Sequence, residues 1–149
     1  MSKQKHLPNG MPIDAVSRAY TKELERHSEK LIEEISSFLA QRIPDGVSEA
    51  TVEVFPDEYG DGVASVGLYL SGKLTKHIPF AEYVNDLPLI DVQSYEDEFR
   101  VPDLIVDHVK RWFAESWWKA CGWQYSLPVE LFGHEGFGDC SSIKLTNKC

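Results

Sequence analysis

The chain of 149 residues carries a formal net charge of −9, with 42% apolar and 26% charged residues. That composition predicts one ordinary soluble globular domain, able to bury about two-thirds of the surface of its unfolded chain. Acidity on this scale argues against nucleic acid and anionic membrane as partners, since both need a basic patch, and no apolar run approaches the roughly 20 residues of a membrane span.

The surplus of acid is local. Residues 45–107 hold 14 acidic against 3 basic side chains, while segments 1–44 and 108–149 are each at +1. A cationic partner suits such a stretch, and simple solubility is the bland alternative.

Residues 1–11 are polar, with Pro8, Asn9 and Gly10. They read as a flexible segment before a single α+β domain over 12–149. The lysines there precede no apolar leader, so a cytoplasmic location is expected. An amphipathic helix is predicted over about 12–42. Tyr20, Leu24, Leu31, Ile32, Ile35, Phe38 and Leu39 form its apolar stripe. Ile43-Pro44-Asp45-Gly46 ends it.

Three strands follow. Residues 51–55 put Val52 and Val54 on one side, and 63–70 align Ala64, Val66, Leu68 and Leu70. Ser71-Gly72 is predicted to turn the chain into 73–80, with Leu74, Ile78 and Phe80 inward. Residues 87–92 form a possible fourth strand.

The most legible element is 101–123, which contains all four tryptophans. Pro102 fits a first helical turn, and Gly122 is predicted as a left-handed C-terminal cap. Ile105, Val109, Trp112, Phe113, Trp117 and Ala120 share an arc that marks the main core helix. Two short strands, 127–132 and 141–146, close the chain. The predicted order is α-β-β-β-(β)-α-β-β. It describes an α+β fold with an antiparallel sheet of about five strands and two long helices packed on one face.

No motif names a chemistry. Phosphate-binding loops, the serine elbow and HExxH are all missing from the sequence. Cys121, Cys140 and Cys149 are too few and too irregular for a disulfide framework or a zinc site, and Cys121 is expected to be buried. Asp57, Glu58 and Asp61 lack the calcium-loop pattern. No metal and no cofactor is expected.

The glycine-rich loop 133–140 groups His134, Glu135, Asp139 and Cys140, residue types suited to acid–base, metal or thiol chemistry. A plain structural hairpin is the favoured alternative there. Tyr95, Glu96, Asp97, Glu98 and Phe99, with Asp91 before them, form an acidic cluster flanked by aromatics. Carboxylates steer a basic partner, and aromatics anchor it. Trp118 lies off the apolar arc, either covered from within the chain or left for a partner.

The leading expectation is therefore a non-enzymatic acidic protein that occludes a basic protein partner. Bacterial immunity or antitoxin proteins that neutralise cationic nuclease toxins match this physical type. A small hydrolase or metal-dependent enzyme using the 133–140 loop is the alternative, and a homo-oligomeric interaction protein is a third.

Overall fold

The computed structural model describes residues 7–8, 10–56, 64–73, 75–80, 87–90, 95, 100–136, 138 and 141–146. Helices α1 (Ile13–Glu25) and α2 (Ser28–Ala40) lead into strands β1 (Val47–Pro56), β2 (Ala64–Gly72) and β3 (Lys76–Phe80). Helix α3 (Val101–Lys119) then precedes β4 (Val129–Gly133) and β5 (Ser142–Lys144). The fold is α+β, as the patterning predicts: five strands with helices packed against the sheet.

The sheet differs from expectation in one respect. Its order is β3-β2-β1-β4-β5, and β1 and β4 run parallel while the other pairs are antiparallel. The cause is the long excursion between them. After β3 the chain crosses through α3 and returns on the free side of β1, pointing the same way.

Helix α3 lies against β1, β2 and β4, and both α1 and α2 pack on α3. Pro102 sits in its first turn as predicted. Val101, Ile105, Val109, Phe113 and Trp117 are completely buried, and so are Val52, Val54, Leu68 and Leu131 of the facing strands.

The single helix expected over 12–42 is two. The chain breaks at Arg26 and His27, where the His27 N–H bonds the Leu24 carbonyl. Trp112 Nε1 donates to Ser28 Oγ at 3.0 Å at this corner. Length explains the break. A straight helix from Ile13 to Ala40 would run about 42 Å, against about 28 Å for α3, so only a bent one keeps both halves on it.

Gly122 is also used differently. Cys121 takes the left-handed conformation at φ 62°, and Gly122 begins a short 3-10 turn. A Cβ on Gly122 would meet Trp117 Nε1 at 2.3 Å. This position must be glycine to let the indole pass.

Of the possible strand at 87–92, residues 87–90 hold a bridge at Leu89, whose carbonyl accepts the Leu7 N–H at 2.8 Å, and 91–92 lie outside the described residues. Leu7 and Met11 pack on the core, so part of the segment expected to be flexible is anchored. The predicted turn at Ser71-Gly72 falls inside β2, and Leu74 lies outside the described residues.

Candidate functional site

Alternation along the strands sends one set of side chains into the core and the other outward. All three helices occupy the inner face. Among the described residues no helix covers the outer one, which carries Thr51, Glu53 and Phe55 of β1, Ser65, Gly67 and Tyr69 of β2, and His77 of β3. Glu130 and Phe132 of β4 continue it, with Ser142 and Lys144 of β5 at the far side.

Register sets the neighbours. Glu53 stands between Gly67 on β2 and Phe132 on β4, and Tyr69 stands between Thr51 and His77. The result is a chain of four rings across the face. Phe55 lies 4.5 Å from the His134 ring and 6.5 Å from Tyr69, and Tyr69 stacks on His77 at 4.7 Å. Gly67 makes room for this: a Cβ there would lie 2.8 Å from His77 Nε2.

Glu53 is the electrostatic centre of the face. Its Oε2 lies 2.5 Å from His134 Nδ1. A carboxylate only accepts, so Nδ1 carries the proton in this contact. Burial, and secondly the Glu53 charge, push the Tyr69 phenol above its ordinary 10.0, because both disfavour phenolate. At the β4–β5 side Ser142 Oγ donates to Glu130 at 2.5 Å, and Glu130 pairs across the ladder with Lys144.

Of the loop residues singled out from sequence, His134 thus reaches across to β1. Glu135 follows at φ 51°, with Oε1 3.7 Å from His134 Nε2. Asp139 and Cys140 lie outside the described residues. The rest of the loop is tied down structurally. The Gly138 N–H donates to Asp103 at 2.9 Å, and the buried Lys110 donates to the Ser141 carbonyl at 2.9 Å. Lys110 also pairs with Asp107 at 3.6 Å, and Arg100 with Asp103 at 3.5 Å. Asp45 likewise pairs with Arg42 at 3.6 Å, so three acids of the 45–107 surplus meet an arginine or lysine of the chain, besides Glu53 on His134.

Asp91, Glu96, Asp97, Glu98 and Phe99 lie outside the described residues, as do Asp57, Glu58 and Asp61. Tyr95 is buried, and its hydroxyl donates to the Met11 carbonyl at 2.7 Å. Its role as an exposed anchor is corrected: the ring belongs to the core. Trp118 is exposed at 41%, and Trp123 equally so. Cys121, expected inside, is exposed because the helix ends before it and its left-handed backbone turns it outward.

No match was found among protein-family models, curated proteins or solved structures. Among the described residues no group of three potential ligands is placed to hold a metal, and no helix is long and apolar enough to cross a membrane.

Sequence reasoning missed Glu53, Phe55, Tyr69, His77 and Phe132. The signal was present. Phe55 and Tyr69 occupy outward positions of adjacent strands, and an aromatic on the solvent side of a ladder marks a surface with a purpose.

Proposed function

We propose that this is a non-enzymatic binding protein that occludes a basic protein partner with the open face of its sheet. Immunity or antitoxin proteins directed against cationic nuclease toxins are the closest physical type, acting in the bacterial cytoplasm. The observation that carries the reading is a sheet face that none of the described α-helices covers, on which carboxylates alternate with aromatic rings. Glu53 and Glu130 supply charge, while Phe55, Tyr69 and Phe132 supply apolar area.

The acid surplus supports the same face. Glu53 belongs to that surplus and stands on this face, with Glu130 beside it. Open sheets with exposed aromatics also stack nucleic-acid bases, but glutamates at the centre of the face repel phosphate.

The test is inhibition of purified basic nucleases by stoichiometric amounts of the full chain, with association rates measured at low and high salt. Rapid, salt-sensitive association with at least one of them is expected. Glu53→Arg is expected to abolish it. No association at either salt would refute the reading.

One observation favours a second reading, a small hydrolase. A carboxylate holding Nδ1 of a partly exposed histidine is how a general base is oriented. Turnover of ester or phosphodiester substrates that His134→Ala abolishes would establish it. An inert chain across such a panel would dismiss it.

A further inference from the structure

Resting on the binding reading above, we propose that Glu53, with Phe55 and Tyr69 around it, forms a subsite for an arginine side chain of the partner. Lysine would fit it poorly. Three features of the face point to a planar cation. Glu53 uses Oε2 for His134, and Oε1 has no hydrogen-bond partner among the described residues. This carboxylate is four-fifths buried, its side chain only 19% exposed, so a charge paired with it is screened little by water.

Apart from the His134 imidazole, the described groups around that carboxylate are rings and not cations. Phe55 follows it by two positions on the same face of β1, Phe132 is its partner on β4, and Tyr69 is diagonal to it on β2. Phe55 and Tyr69 meet at 63°. Arginine satisfies such a setting as lysine does not. Its flat, weakly hydrated guanidinium stacks on a ring while its N–H groups donate to the carboxylate in the same plane. A lysine ammonium must shed tightly held water and gains no stacking.

Neighbouring charges fit one basic side chain with others beside it. Glu130 lies one row from Glu53 on β4, and Glu135 beyond His134. The described basic groups on this face are the two imidazoles and Lys144, the last opposite Glu130.

The test uses the full chain at low salt with three short peptides alternating glycine with arginine, lysine or citrulline. Titration calorimetry reads the affinities, and circular dichroism confirms the fold of each variant. The arginine peptide is expected to bind about tenfold more tightly than the lysine peptide, and the uncharged citrulline peptide not at all. Glu53→Gln is expected to erase the arginine preference while leaving the weaker, salt-sensitive binding of both cationic peptides. If Glu53→Gln fails to fold, Phe55→Leu takes its place and is expected to narrow the preference.

Equal affinity for arginine and lysine would overturn the subsite and leave the basic-partner reading standing. So would a preference that survives Glu53→Gln, or one that Phe55→Leu leaves undiminished. Failure of every cationic peptide to bind would overturn both, as would tighter binding of a single-stranded oligonucleotide.

Discussion

Gly122→Ala is the sharpest test of how the core is assembled. The added methyl would stand 2.3, 2.4 and 2.6 Å from Nε1, Cδ1 and Cε2 of Trp117. The indole would have to retreat by about 1 Å in an interior packed as densely as a crystal. It has nowhere to go. Phe38, Phe113 and Tyr125 surround it with ring centroids at 6.3, 6.2 and 6.1 Å, and the side chain is completely buried. Overpacking of this kind costs up to about 3 kcal/mol, which lowers the melting temperature of a domain this size by about 6–12 °C.

Urea unfolding followed by far-ultraviolet circular dichroism measures that loss. The same substitution in a Trp117→Phe background isolates the cause, because the atoms that clash are then gone. Its cost there should fall to about 1 kcal/mol or less, a coupling of about 2 kcal/mol. A cost below about 0.5 kcal/mol in the native chain, or equal costs in both backgrounds, would refute the steric reasoning. Trp117 Nε1 has no hydrogen-bond partner among the described residues, so Trp117→Phe leaves no orphaned acceptor behind.

Three further outcomes follow from the same structure. Lys110→Met preserves volume and removes a buried ammonium but orphans the Ser141 carbonyl, so it should cost about 1–2 kcal/mol. Lys110→Ala leaves a void and an orphaned Ser141 carbonyl, at about 3 kcal/mol by chemical denaturation. For His108, burial first and Arg111 second push its pKa below the usual 6.5, with Asp107 opposing; Thr21, Glu25 and Glu115 share the cleft. The unfolded chain therefore takes up this proton first. Stability should be intact above pH 6.5 and decline as pH falls through it, and His108→Gln should flatten that slope in urea midpoints. Tyr69 should titrate above 10.0 by ultraviolet difference against Tyr69→Phe, and Glu53→Gln should bring it only part of the way down, since burial is the larger cause.

Helix α3 was legible because its information is local: a proline at the start, a periodic apolar arc and a terminal break within one stretch. The inward faces of β1 and β2 were legible by alternation for the same reason. What escaped was set by partners far along the chain. Nothing near Arg26 forbids a helix; the bend comes from the length of α3 and from Trp112, 84 positions from the Ser28 it bonds. The parallel pairing of β1 with β4 depends on where a crossover lands, which alternation does not encode. His134 was singled out with its sequence neighbours, yet its partner Glu53 lies 81 positions away. The acid surplus and the one-sided helix packing were both expected from sequence, whereas which outward residues meet on the open face followed only from the strand register.

The central strand has one neighbour that follows it closely and another that arrives late: Ala50 pairs with Leu70 and with Val129. On a ribosome, β1 would emerge with an open flank and stay so while β2, β3 and α3 are made. An apolar ladder left waiting in this way invites pairing with the wrong chain. A nascent or prematurely terminated product ending before β4 would be a natural client for chaperones, and aggregation during synthesis, rather than low final stability, would limit its yield.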